Sequence, residues 1–380
     1  MKKNWKESLK NIVGTLLFLT GALVMLISIS YVLRPTDNGT GRWRFAGFYG
    51  EEKDTIDVVT IGSSAMYRYF NNPIFWETYN LTSYNLCSAS QPVEIIGDLM
   101  DEARKEQNPQ LFVVETRKFV KYSDLKTKAE LLGMEEADED EITDEESGLE
   151  NIELRRVTDN MKYSRNRFEM IEQNVEGDWK EKLDYHLDII RYHSNWENLS
   201  DMNDLKYYRN SKDNVKKGWS NIFIVKPKKP IGDLKNTEPL PIGKEAEAEI
   251  TKLLEKCRKE QINVVFVSTP WVANEEQRRR NLYLGELIES YGFRFYDGNE
   301  HVEEAGIDYA SDFYNGSHVN TWGSEKFTKT FGKYLVENYE LDATHEKKVK
   351  KSWDECVAAY DRNLEEYAMG LLEPKEGEEQ

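Results

Sequence analysis

Cysteine is scarce. Cys87, Cys257 and Cys356 stand far apart in 380 residues and form no CxxC pair, so neither a zinc site nor a disulfide framework is legible. At most one bridge is possible, which leaves at least one thiol unpaired within the monomer. The expectation for Cys87 is core packing, the usual place of a free thiol. Histidine is equally sparse: His186, His193, His301, His318 and His345 form no HExxH motif or close cluster. That argues against a structural metal, and no cofactor is called for. His186 and His193, seven apart in a helical stretch, read as packing or hydrogen-bonding groups. Positive charge is short as well. Against 69 acidic residues there are 51 basic ones, a net −18, and such a field repels a nucleic-acid backbone. No internal repeat is visible.

What the chain does have at its start is a long apolar run. Residues 1–11 carry Lys2, Lys3, Lys6 and Lys10 against Glu7 alone. Ile12 to Leu33 then runs 22 residues without a charge, enough for a helix to cross a bilayer. Basic residues before the span predict a cytoplasmic N-terminus (1–11), a single-pass anchor (12–33) and a main domain outside the cytoplasm. The rival is a cleaved signal peptide ending near Ser28-Ile29-Ser30. Because the run continues through Tyr31-Val32-Leu33, a retained anchor is the favoured reading. Residues 35–50, rich in glycine and polar groups, read as a linker, with Trp43 and Phe45 near the membrane surface.

The length allows about two domains. Val58-Val59-Thr60-Ile61, Ser83 to Leu86 and Leu111 to Val114 are short, mostly apolar runs, the second less so, separated by the helical stretches Pro73–Tyr79 and Val93–Gln107. Strand and helix alternating in this way begin a doubly wound parallel sheet. The pattern resumes with a helix over 244–260, a strand over 263–268, a helix over 275–291, a strand over 293–296 and a helix over 322–339. Between the two halves lies an insertion, 118–243. Nine of twelve residues from Glu135 to Glu146 are acidic, a solvated stretch. Residues 151–200 are helical in pattern and 201–243 loop-like. A polar, amphipathic tail helix covers 347–372, in a C-terminal segment 346–380.

The chemistry gathers at two places. The first strand stops at Gly62-Ser63-Ser64, and the crevice beyond the carboxyl end of such a strand is where ligands bind. The bland alternative is that these serines only cap the next helical turn. Some 250 residues later, Asp308 to Asn320 (DYASDFYNGSHVN) places His318 just before a helix. A serine hydroxyl needs a base, and histidine suits that role near neutral pH. A third group must hold the imidazole tautomer.

On these residues the chain resembles the SGNH/GDSL hydrolase superfamily: Gly62-Ser63-Ser64 after the first strand, His318 in a late loop, then Asn320, Gly323 and Lys326-Phe327-Thr328. The stretches FNNPIFWETYNLTSYNLCSASQP and DFYNGSHVNTWGSEKFTKTFGKYL resemble its membrane-anchored branch in the bacterial cell envelope, with proteins of lipoteichoic-acid D-alanylation and alginate acetylation. The resemblance covers about 45–120 and 245–340. It implies a three-layer α/β/α, flavodoxin-like SGNH-type domain over 45–340, Ser64 as nucleophile and His318 as general base. The family's orienting aspartate, three positions before the histidine, is Asn315 here, and Asp312 or Asp308 are alternatives for that role. Family oxyanion donors, a glycine N–H and an asparagine side chain, are replaced by the Ser64 N–H and the turn containing Ser88 and Ala89. Arg117 either meets an anionic group of the substrate or pairs with Glu115.

Two functions follow from different classes. One is an extracytoplasmic acyl ester hydrolase or O-acyltransferase acting on envelope polysaccharide or teichoic acid, with a membrane-bound O-acyltransferase as the partner that the resemblance implies. The other is a catalytically weak accessory protein that binds the polymer or scaffolds that partner.

Overall fold

The computed structural model describes residues 2–34, 41–122, 152–175, 177–198, 215–230, 232 and 234–372. The acidic run Glu135 to Glu146 lies outside them. Five strands, β1 (Val58–Ile61), β2 (Ser83–Asn85), β3 (Leu111–Glu115), β4 (Val264–Ser268) and β5 (Arg294–Asp297), form one sheet in the order β2-β1-β3-β4-β5. Every pairing is parallel, with Val58 opposite Ser83 and Leu111, Phe112 opposite Val264, and Val265 opposite Arg294.

Parallel strands covered on both faces favour apolar side chains at nearly every position, because successive residues point to opposite sides. The alternation is visible in the packing. Val59, Ile61, Phe112, Val114, Val264 and Phe266 belong to one buried cluster, while Val58, Leu111, Val113, Val265 and Val267 belong to another. Helices α5 (Ile96–Glu106) and α11 (Lys244–Lys259) supply the first cluster with Leu99, Met100, Leu253 and Leu254. The second takes Phe327, Phe331 and Leu335 from α14 (Thr321–Asn338).

The N-terminal helix α1 (Lys2–Leu33) contains a stretch, Trp5–Leu33, long and apolar enough to cross a membrane, and its apolar side chains are largely exposed. Beyond it the linker reading fails for part of its length. Arg42–Gly50 is a helix, α2, and Phe45 and Phe48 are buried in the core rather than resting at a membrane surface. Their three-residue spacing aims both at one face. Over 152–198 the insertion is helical, as its pattern predicts, in short pieces. It is α7 (Ile152–Thr158), α8 (Arg165–Asn174), α9 (Trp179–His186), α10 (Asp188–Tyr192) and a 3₁₀ turn His193–Asn198. Leu154, Val157, Met161, Met170 and Ile171 join the core cluster of the sheet, so these helices are part of its packing. His186 and His193 thus sit on different elements, hydrogen-bonded to Glu172 and the Ile190 carbonyl.

Two short helices complete the outline, α3 (Ser64–Tyr67) and α4 (Asn72–Tyr79), the latter capped by Asn71 with Pro73 in its first turn. The tail helix α15 (Lys347–Ala368) packs on α4 through Trp353, whose ring lies 5.8 Å from that of Trp76. The remaining helices are α6 (Arg117–Tyr122), α12 (Glu275–Ser290) and α13 (Val302–Ala305).

Candidate active site

In this strand order the chain leaves β1 for β2 on one side and returns to β3 on the other. A crevice therefore opens beyond the carboxyl ends of β1 and β3, the usual ligand site of such a sheet. Gly62 makes the turn out of β1 because the neighbouring strand leaves no room. A Cβ there would stand 2.6 Å from Glu115 Cβ. Ser63 then caps α3, its Oγ accepting from the Ala65 N–H at 3.3 Å. The capping role expected of one serine therefore belongs to Ser63, and Ser64 is left at the first helical position.

His318 Nε2 lies 2.8 Å from Ser64 Oγ, across 254 residues of sequence. On the other side of the ring, Nδ1 is 3.0 Å from Asn315 Oδ1. That oxygen also accepts the backbone N–H groups of Ser317 (2.9 Å) and His318 (2.7 Å). An atom that takes two backbone N–H groups is an acceptor, so Nδ1 must carry the proton and Nε2 must be bare. The Ser64 hydroxyl consequently donates to Nε2, the polarity a general base requires.

Asp312 does not fill the orienting role. Its carboxylate takes Lys326 Nζ at 2.7 Å and the Asp308 N–H at 2.6 Å, and it holds the loop rather than the imidazole. Asp308 accepts the Ala310 N–H. Of the three candidates, Asn315 is the residue bonded to His318 Nδ1.

Arg117 is buried at the start of α6. Its Nη1 donates to Thr269 Oγ1 (3.1 Å) and to the Ser317 carbonyl (2.8 Å), and its guanidinium lies 4.3 Å from the Trp271 ring centroid. Its backbone N–H, not its side chain, meets Glu115, at Oε1. Arg117 therefore positions the His318 loop, and its guanidinium acts on Glu115 through its charge rather than through a hydrogen bond. Tyr69 OH donates to the same Ser317 carbonyl at 3.0 Å. Tyr314 stacks beside His318 with ring centroids 5.5 Å apart. Nothing in the sequence marks Tyr69, Tyr314 or Ser317 as site residues, since their roles depend on which loops the sheet brings together.

Burial pushes the His318 pKa well below the ordinary imidazole value, and the charges of Arg117, Arg68 and Lys121 push it further the same way. The ring is held neutral. Glu115 beneath the turn is shifted oppositely, its carboxyl raised by burial against the pull of Arg117. Cys87 is buried beside Thr60, its thiol pushed up to about 12 by burial, so it packs and does not compete as nucleophile.

Of the expected oxyanion donors, Ser88 N–H is engaged by Gln91 Oε1 at 3.3 Å. Ser64 N–H, at the first helical position, has no intrahelical acceptor. Ala89 N–H makes no hydrogen bond among the described residues. Among those residues no group of three histidine, cysteine or acidic side chains is placed to hold a metal ion. Compared with family models, with curated proteins and with solved structures, the chain has no significant match.

Proposed function

We propose that the protein is a serine-dependent, SGNH-like acyl ester hydrolase or O-acyltransferase. The observation that carries this reading is the ordered relay Ser64–His318–Asn315, with its heavy atoms at 2.8 and 3.0 Å. In the reaction, His318 Nε2 takes the Ser64 proton as Oγ bonds to the ester carbonyl carbon. The tetrahedral oxyanion faces the N–H groups of Ser64 and Ala89. Collapse breaks the bond to the alcohol oxygen, which leaves with the proton from His318. Water or a sugar hydroxyl then repeats the sequence on the acyl-serine, restoring Ser64. Three-layer α/β/α architecture and membership of the envelope branch belong to the same proposal. So do envelope polysaccharide or teichoic acid as substrate, a membrane-bound O-acyltransferase as partner, and a main domain outside the cytoplasm.

One observation favours the second reading, a catalytically weak accessory protein. Asn315 is neutral, and three cations stand within electrostatic range of His318, so the imidazolium formed in each step lacks the carboxylate that usually stabilises it. A fluorophosphonate probe on the full-length protein in detergent separates the two. Covalent labelling at Ser64, absent in Ser64→Ala and His318→Ala, is expected for the enzyme. Unlabelled, folded wild-type protein would establish the accessory role.

A further inference from the structure

The carboxyl end of α1 does not stop in open space. Its last turn is taken up by side chains from elsewhere in the fold, which satisfy carbonyls that a helix end leaves over. Asn195 Nδ2 donates to the Leu33 carbonyl at 2.9 Å, and Arg42 donates to the carbonyls of Arg34 (2.9 Å) and Tyr31 (3.4 Å). Tyr31 OH accepts the Tyr163 N–H at 2.6 Å. Beneath these, the fully buried Asp188 carboxylate receives Arg34 Nε at 2.7 Å, Arg167 Nη2 at 3.1 Å and Tyr163 OH at 2.6 Å. The insertion helices thus form a collar around the last turn of α1.

The collar begins where the exposed apolar surface of α1 ends. From Ile12 to Ile29 the helix is exposed or half-exposed, and Ser30 is the first buried residue. Those 18 residues, at about 1.5 Å each, span roughly 27 Å, close to the ~30 Å hydrocarbon core of a bilayer. On α10 and the 3₁₀ turn, the two elements whose Asp188 and Asn195 hold Arg34 and Leu33, two large apolar side chains stay uncovered: Trp196, 62 % exposed and next to Asn195, and Ile190, 44 % exposed. Tryptophan at such a boundary has its favoured environment, an apolar ring bed with a wet edge for its N–H.

We propose that Ile190 and Trp196 insert into the interfacial layer of the same bilayer that α1 crosses, so that the collar rests on the lipid surface and the domain is held at a fixed height and tilt. The inference rests on α1 being a membrane span and is independent of the chemistry at Ser64.

The test is nitroxide accessibility in full-length protein reconstituted in phosphatidylcholine–phosphatidylglycerol nanodiscs. The three native thiols are buried, so the label goes to introduced cysteines. The sites are Trp196→Cys and Ile190→Cys in the collar, Leu19→Cys in the middle of α1, and Lys329→Cys on α14, whose buried face packs against the other side of the sheet. At positions 190 and 196 the ratio of oxygen to nickel-chelate accessibility is expected to be several-fold above that at 329. Values at 190 and 196 equal to that at 329, with 19 deeply embedded, overturn the collar contact and leave the span intact. Aqueous values at 19 as well overturn both.

Discussion

Asn315 Oδ1 collects three donors, the N–H groups of Ser317 and His318 and the ring Nδ1–H of His318. The first two shape the loop and the third sets the tautomer, so an amide is sufficient for geometry. It is not sufficient for charge. A carboxylate in a serine-protease triad is worth about 10⁴ in rate over the amide. His318 is already held below its ordinary pKa by burial and by Arg117, Arg68 and Lys121. A group depressed in this way stays neutral at and above pH 6.5 and gains its proton only further down. The acid limb of kcat/KM is therefore expected below pH 6.5, with a flat profile from there to about pH 8. Asn315→Asp adds the missing negative charge, which favours the imidazolium. The limb should move to higher pH while the plateau rises about tenfold, roughly 1.4 kcal/mol of barrier. A pH–rate series on a chromogenic acetyl ester reads both. If neither moves, Asn315 is not electrostatically coupled to the reaction. That position was legible in the sequence as three before the histidine. The competing Asp312 is instead engaged by the Asp308 N–H and by Lys326 fourteen residues on, the latter a contact that no local pattern encodes.

Elements that carry their own burial signal are legible in the sequence. The charge-free run Val58 to Ile61 and the runs Leu111 to Val114 and Val264 to Val267 are apolar at every position but Thr60 because both faces are covered, and their limits agree with the strands within a residue. What the sequence hid was packing between distant elements. Arg42–Gly50 is too short and too rich in glycine and arginine to look like a core helix, and Phe45 reveals its role only against the sheet. The tail helix looked merely amphipathic, yet Val349, Trp353, Cys356 and Tyr360 are buried. Trp353 packs between Trp76 and the ammonium of Lys217, 5.0 Å from its ring centroid. Trp353→Ala is expected to cost about 3–5 kcal/mol through the cavity it leaves, and Trp179→Ala, at an exposed ring, less than about 0.5 kcal/mol. Denaturant midpoints of the detergent-solubilised chain measure both. Equal small shifts would mean that α15 is not part of the cooperative fold.

At the scale of the whole molecule, the fold joins two bodies that need different surroundings, an apolar helix and a water-facing sheet domain of strongly negative charge. A flexible tether would have sufficed to keep them together. Instead Asp188 is buried with Arg34 and Arg167 converging on it, and Arg34 is the residue directly after α1. Breaking a buried pair by removing one partner costs about 3–5 kcal/mol, since the remaining charges are left desolvated. Asp188→Ala leaves two guanidiniums without that carboxylate. The gain from relieving them is largest if the last turn of α1 comes away from the collar and both reach water. The sheet itself is not involved, because β1 to β5 and the relay at Ser64 are built from other residues. The variant should therefore keep the fluorophosphonate reactivity expected of Ser64 while α1 loses its fixed orientation. Spin labels at Leu19→Cys and Lys329→Cys, on the helix and the domain, would report this as a broadened distance distribution relative to the parent protein in nanodiscs. Loss of Ser64 labelling together with the broadening would show instead that the collar stabilises the sheet domain as a whole. An unchanged distribution would mean that the hydrogen bonds from Asn195 and Arg42 to the end of α1 hold the helix without Asp188.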